Sequence, residues 1–197
     1  MWFKQQQNFG FTLIELLISI ALAAVILTQA VPSFNTLVQN NRLIAQKNEF
    51  LSSLNLARSE AIKRGVRVTV CASSNQTSCN SADWEKGWIV FSDVNADATL
   101  DAGSGACIEG EDCLLRVAMG LIGGNTLTAS HFSNTKFIQY TPRGELDSAG
   151  TFTFCDQRGA KQAQATNLYT VGRAVSASDS GTDSIVNDVQ NENVVCL

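Results

Sequence analysis

Among the residue types that commonly do chemistry, this chain of 197 residues has one histidine, His131, and six cysteines. A single histidine excludes a metal site with several histidine ligands, and any catalytic triad would have to use His131. Its neighbours Ser130 and Phe132 offer no evident partner, so we expect an ordinary strand or loop residue. No arrangement of residues predicts catalysis. We therefore expect neither an enzyme nor a bound cofactor.

One short segment has the composition of a cation-binding loop. Oxygen-bearing side chains alternate at Asp93, Asn95, Asp97 and Asp101. Alternate oxygens suit calcium, but Ala98 and Ser104 stand where an EF-hand-type loop needs glycine and a bidentate glutamate. A turn capped by its own Asx side chains is the favoured interpretation, and a calcium site is the alternative.

The charges are unevenly distributed, although the formal net charge is only -4. Through Arg64 the chain has six basic and three acidic residues, whereas the remainder has 8 basic and 15 acidic ones. This acidic remainder disfavours wholesale binding of nucleic acid, which needs clustered positive charge. Glu109, Glu111 and Asp112 are expected to lie in a solvated loop of this part.

An apolar run at residues 11–31 has Glu15 as its only charge. As a helix it would be about 31 Å long, roughly the thickness of a bilayer core. A secretory signal peptide is the alternative, because residues 21–23 (ALA) match a cleavage pattern. However, the apolar run continues beyond that site, and a carboxylate in hydrocarbon costs about 2.5–3.5 kcal/mol. A membrane segment with a partner for Glu15 is favoured.

Residues 10–16 (GFTLIEL) resemble the processing site of type IV prepilins and pseudopilins. The resemblance implies that a prepilin peptidase cuts after Gly10, that Phe11 is N-methylated and that Glu15 assists assembly. Pro32 matches a helix-kinking proline of that family. In a filament, the carboxylate of one subunit can meet the terminal amine of the next, so Glu15 is compensated only on assembly.

After Pro32 an amphipathic helix is predicted to continue to about Arg64, which gives one long, kinked helix. Its apolar stripe is Leu43, Phe50, Leu54, Ala57 and Ala61, widened by Ile44, Leu51 and Ile62. The polar positions expected to lie away from the stripe are Gln46, Asn48, Ser53 and Glu60. Gly65 suits the C-cap of this helix.

From Gly65 onward, short apolar runs separated by turn residues predict a β-rich head. The predicted strands are 66–72, 87–92, 114–119, 136–141, 151–154, 168–173 and 193–197, and residues 176–184 are expected to form a mobile loop. Without βαβ alternation the sheets should be antiparallel. The predicted fold is α+β: a leader at 1–10, a long helix at 11–64 and a globular head at 65–197.

None of the six cysteines forms a C-x-x-C pair, which disfavours a zinc knuckle or a thioredoxin-like motif. Export favours disulfides, with fifteen possible connectivities. Nearest-neighbour pairing joins Cys71 to Cys79, Cys107 to Cys113 and Cys155 to Cys196. The resemblance to pilins, whose heads often tie down the C-terminal region, supports the last pair.

Residues 84–97 (WEKGWIVFSDVNAD) narrow the resemblance to the GspH/FimT, or FimU-like, minor pilins and pseudopilins, and the helix end at 56–64 (LARSEAIKR) fits the same group. The resemblance implies a minor pilin that primes type IV pilus assembly and sits in or at the pilus tip. Its partners would be other minor and major pilins. It would be anchored in the bacterial inner membrane by a single span, with the head in the periplasm.

Two alternatives remain open. Some FimT-type pilins bind DNA through a G-R-x-R-like motif, but here Gly172 and Arg173 are followed by Ala174 and Val175, so the second arginine is missing. DNA binding would need a small patch made by Arg158, Lys161 and Arg173. The other alternative is a type II secretion pseudopilin, whose processing signature would be the same.

Overall fold

The computed structural model describes residues 11–101, 107 and 110–196. The chain divides after Asn40 into two compact units. The helix α1, Leu13–Arg64, contributes to both and continues through Pro32. Gly65 ends it with a φ of +69°, and its backbone N–H donates to the carbonyl of Ala61 at 3.0 Å. The predicted C-cap is thus where the helix ends.

The head is built from eight strands and two short 3₁₀ helices. The elements are β1 Arg67–Ala72, a 3₁₀ helix Trp84–Lys86, β2 Gly87–Asp93, β3 Cys113–Met119, β4 Thr126–Ser130, β5 Phe137–Tyr140, β6 Gly150–Cys155, a 3₁₀ helix Ala160–Gln162, β7 Gln164–Leu168 and β8 Ala174–Ser176. They form two four-stranded sheets, ordered β3-β2-β1-β5 and β4-β6-β7-β8. Every strand pair among the described residues is antiparallel, as the α+β prediction requires.

Phe50 of α1 lies at the centre of the core and contacts both sheets. Its ring centroid is 5.0 Å from that of Trp88 on β2 and 4.5 Å from that of Phe152 on β6, both in edge-on geometry. Such aromatic pairs add to the free energy of burying the rings themselves. The predicted stripe of Leu43, Phe50, Leu54, Ala57 and Ala61 is buried throughout. Ile44 and Ile62, which were expected to widen it, are about half exposed.

Two polar residues predicted to face away from the stripe, Gln46 and Ser53, are buried. Ser53 accepts a hydrogen bond from the indole nitrogen of Trp88 at 2.9 Å. The prediction was wrong because a helix that packs between two sheets and their loops buries more of its circumference than one apolar stripe.

The strand predicted at 168–173 was also wrong. β7 ends at Leu168, the chain turns through Tyr169 and Gly172, and β8 begins at Ala174. Gly172 has a φ of +74°, which extended strands do not allow. The strand predicted at 193–197 reduces to an isolated bridge between Asn193 and Asn187, and Leu197 lies outside the described residues. Sequence reasoning missed β4, β7 and β8, because the strand predicted at 168–173 shares only Leu168 with β7.

Candidate functional site

The N-terminal half of α1 exposes its apolar side chains. Phe11 is 84% exposed, and Thr12 accepts a hydrogen bond from the backbone N–H of Glu15 at 3.3 Å, which caps the helix. Glu15 lies in the first turn, where the helix dipole favours a carboxylate. Gly10, the expected cleavage position, lies outside the described residues.

α1 is the one helix in the described part of the chain that is long and apolar enough to cross a membrane. Its most apolar 18-residue window has a mean hydropathy of 2.2, and none of that window is buried. Side chains such as Leu16, Leu22 and Val25 are more than half exposed. Water disfavours so much apolar surface, so this segment needs a membrane or other helices around it.

The acidic segment that suggested calcium is hydrogen-bonded to its own protein. The buried Asp93 accepts from the Thr69 hydroxyl at 2.6 Å, the Gln139 amide at 2.8 Å and the backbone N–H of Ala98 at 3.0 Å. Asn95 donates to the carboxylates of Asp97 and Asp101. These are the bonds of a capped turn. Within the described residues, no cluster of His, Cys, Asp and Glu has a metal-binding arrangement.

Asp112 is buried, contrary to the expected solvated loop. Its carboxylate accepts from the backbone N–H groups of Val94 at 2.8 Å and Asp101 at 3.1 Å. It therefore joins the start of β3 to the Asp93 turn. Glu111 is exposed, as predicted, whereas Glu109 lies outside the described residues.

The structure does not bring together the three basic residues of the DNA-binding alternative. Arg158 and Lys161 precede β7, and Arg173 follows it, so they lie at opposite ends of a five-residue strand. That strand is about 17 Å long at 3.3 Å per residue. The predicted patch was wrong because β7 separates its members.

Arg158 also forms an ion pair with a nearby carboxylate. Its guanidinium contacts the carboxylate of Asp156 through Nε at 3.0 Å and Nη2 at 2.6 Å. Partial burial alone would raise the pKa of Asp156, but the hydrogen bonds and charge of Arg158 outweigh burial and lower it. Arg173 is exposed.

Three disulfides cross-link the head: Cys71 with Cys79, Cys107 with Cys113 and Cys155 with Cys196. The first two join cysteines that are eight and six positions apart in sequence, beside β1 and β3. The third spans 41 residues and ties the C-terminal segment to the end of β6. Its surroundings are apolar, with Ala163, Ala165 and Val194 buried around it.

His131 has a partner, contrary to expectation. It adopts a φ of +65° just after β4, and its Nε2 lies 2.7 Å from a carboxylate oxygen of Asp188. Burial alone would raise the pKa of Asp188, but backbone N–H donors from Glu192 and Gln190, together with His131, lower it. The pair is 57 residues apart in sequence, which is why local inspection missed it.

Lys47 was not singled out from the sequence, yet it is 9% exposed. Its ammonium donates to the side-chain oxygens of Gln164 and Ser176, both at 3.0 Å. Burial lowers the pKa of Lys47 because its two acceptors are neutral. The lysine thus joins α1 to the β7–β8 edge of the second sheet.

Arg58 connects the end of α1 to two loops of the head. It donates to the carbonyl oxygens of Gly144 at 3.1 Å and Val171 at 2.9 Å. Gly172 packs so closely on Gly144 that a Cβ there would lie 1.7 Å from the Gly144 carbonyl oxygen. The sequence offered a signal for Arg58 in the LARSEAIKR segment, but not its role.

Comparisons with known proteins find two family models that match this chain and solved structures that it resembles. A family model described as type II transport protein GspH matches residues 46–181, and one for the prokaryotic N-terminal methylation motif matches residues 6–28. A crystal structure of the type IV minor pilin FimU of Pseudomonas aeruginosa PAO1 has a TM-score of 0.55 and 22% identity, covering 73% of this chain and 93% of that one. The structure of the minor pseudopilin EpsH from the type 2 secretion system of Vibrio cholerae has a TM-score of 0.48 and 10% identity, covering 71% of this chain and 99% of that one. No curated protein matches significantly.

Proposed function

Because this chain belongs to the GspH family and is a minor pilin or pseudopilin, we propose that it helps to start the assembly of a type IV pilus and takes a place in or at the pilus tip. The observation that carries the proposal is the exposed apolar half of α1, in which Glu15 is the only charge. Such a segment is suited to two environments in turn, the membrane before assembly and a bundle of like helices afterwards.

In this proposal, the prepilin peptidase cuts after Gly10 and Phe11 becomes the N-methylated first residue. Residues 11–31 then span the inner membrane once, with the head in the periplasm. Cleavage leaves an amine on Phe11, and Glu15 lies one helical turn away. When two subunits pack, the carboxylate of one compensates the amine of the other, so correct register is favoured over a misaligned one. Pro32 leaves one carbonyl of α1 without its usual donor.

A type II secretion pseudopilin is the second candidate, because the matching family model is itself described by type II transport. The DNA-binding alternative is weaker. Arg158 is paired with Asp156, Arg173 lies at the other end of β7, and the head is acidic overall. Phosphate binding relies on several cations acting on one stretch of backbone.

The test is a deletion strain in which surface pili, DNA uptake and type II secretion are measured together. Complementation uses the wild-type chain, Glu15→Gln and, as a control in the same segment, Thr28→Val. We expect deletion to remove pili, Thr28→Val to restore them and Glu15→Gln to fail. Normal pili with failed uptake or failed secretion would overturn the priming role and favour the corresponding alternative.

A further inference from the structure

A groove runs beside α1 in the head, between the helix and the connection from β3 to β4. It has a volume of about 380 Å³, and its walls include Arg42, Ala45 and Glu49 of α1 with Met119, the last residue of β3, and Ile122 of the connection. Met119 and Ile122 are 66% and 67% exposed. The wall opposite α1 therefore presents two large apolar side chains to solvent within one groove.

The wall formed by the β3–β4 connection is held in place. The amide of Gln46 donates to the carbonyl of Ile122 at 3.0 Å, and the amide of Asn125 donates to Gln46 at 2.6 Å. The backbone N–H of Leu121 donates to the carbonyl of Glu85 at 2.7 Å. A preformed groove loses little conformational entropy when it is filled.

Two opposite charges flank the groove. Arg42 and Glu49 are seven residues apart on α1, two helical turns or about 10.5 Å. No ion pair in the described ranges includes either of them, whereas Arg64, Arg67 and Arg158 each pair with a carboxylate. Between them Ala45 presents only a methyl group, which allows another backbone to approach closely.

We propose that this groove receives a helix of another pilin subunit, a different chain that inserts one or two large apolar side chains beside Ala45. This inference rests on the proposed function, because both subunits are then anchored in the same membrane and their helices run parallel. The partner helix presents an acidic residue to Arg42 and, about seven residues later, a basic residue to Glu49. A second copy in the same register would place Arg42 against Arg42, so charge complementarity favours a different chain.

The experiment places a photo-crosslinking amino acid, p-benzoylphenylalanine, at Ile122 of the full-length chain in its own host. The matched control carries the same residue at Val171, which is 60% exposed and lies beside Arg58. Arg58 is 16 residues from Arg42, or about 24 Å along the helix axis. We expect the Ile122 variant alone to give an adduct, mapped by mass spectrometry to a helix of another pilin that carries the acidic–basic pattern.

Charge reversal supplies the second arm. Arg42→Glu and Glu49→Lys should each lower the yield of that adduct at least fivefold while leaving the thermal unfolding midpoint of the head within about 2 °C of wild type. Reversing the matching acidic residue of the captured pilin should restore the yield with Arg42→Glu. An adduct with a second copy, an adduct with lipid alone, or no adduct above the Val171 control would each overturn the inference.

The two proposals can fail separately. If deletion of the gene removes pili and the Ile122 variant assembles pili without an adduct, the groove is not the contact but the priming role stands. If deletion leaves pili intact while the adduct maps to a secretion pseudopilin helix with the acidic–basic pattern, the groove inference stands and the priming role does not.

Discussion

The indole Nε1 of Trp88 donates a hydrogen bond to the hydroxyl oxygen of Ser53 at 2.9 Å, and both residues are fully buried. This bond joins α1 to the first sheet in a place that water does not reach. A buried donor that loses its acceptor retains the whole cost of its desolvation.

We therefore expect Ser53→Ala to lower the free energy of unfolding by about 1–3 kcal/mol. Chemical unfolding of the detergent-solubilised protein, followed by tryptophan fluorescence, measures the change. Ser52→Ala is the matched control, because the Ser52 hydroxyl bonds the more exposed Arg116. Equal effects of the two changes would contradict the special importance of the buried bond.

Alanine substitutions at Gly172 and Gly159 distinguish the cost of steric crowding from the cost of backbone strain. Both have positive φ, +74° and +80°, but a Cβ on Gly172 would meet Gly144 whereas one on Gly159 would meet nothing within 4 Å. Gly159→Ala should cost about 1 kcal/mol from conformation alone. Gly172→Ala should cost about 2 kcal/mol more, because the Arg58-linked loops must move apart.

The unfolding free energies of these two variants, measured under the same conditions, test this prediction. A difference of less than about 0.5 kcal/mol would show that the loops at Gly144 and Gly172 adapt without cost. Crystallographic or NMR comparison of Gly172→Ala should place the largest changes at Val171 and Gly144.

Lys47 should make the free energy of unfolding depend on pH in the alkaline range. Because burial lowers the pKa of Lys47 in the folded state, the folded protein holds this proton less tightly than the unfolded chain does. The contribution of Lys47 to the free energy of unfolding therefore rises as the pH increases from the pKa of the folded state towards the unfolded value of 10.5. Lys47→Met should abolish that rise.

The measurement is the unfolding free energy of wild type and Lys47→Met between pH 8 and pH 10. Burial raises the pKa of Tyr140, which acts in the opposite direction above its unfolded value, so the window ends at pH 10. The difference between the two proteins isolates Lys47. A difference that is constant with pH would contradict the prediction.

Asp188 should make stability depend on acid pH. Its pKa is lowered in the folded protein, so its contribution is complete above the unfolded value of 3.8 and is lost as the pH falls through the folded pKa. Asp188→Asn should flatten the acid limb of the stability curve. The measurement is the free energy of unfolding of wild type and Asp188→Asn as the pH is lowered from about 6 to about 2, and a difference between the two proteins that does not change with pH would contradict the prediction.

The parts of the fold with a regular sequence pattern were predictable. The period of α1, its end at Gly65 and five of the eight strands follow from hydrophobic spacing and turn residues. The polar contacts of α1 were not predictable, because the partners of Lys47 and Gln46 lie 76 or more residues away. Their burial depends on which loops the sheets bring to the helix, and a local pattern does not contain that information.

The residues of the candidate site also fall into those that a sequence motif identifies and those that depend on the tertiary structure. Phe11, Glu15 and the apolar run are contiguous in sequence, so a motif was sufficient to find them. The proposed basic patch failed because residues close in sequence can be separated by a strand, as Lys161 and Arg173 are by β7. The groove beside Ala45 is assembled from segments about 75 residues apart, and no motif marks it.

Phe50 has a consequence for how the head loses its structure. The two sheets share no strand, and this one ring packs against Trp88 in the first and Phe152 in the second. Neither sheet can separate from α1 without exposing the ring of Phe50. The free energies of unfolding the two sheets are therefore coupled. The head should therefore unfold in a single cooperative transition, with no populated state in which one sheet has melted and the other is intact.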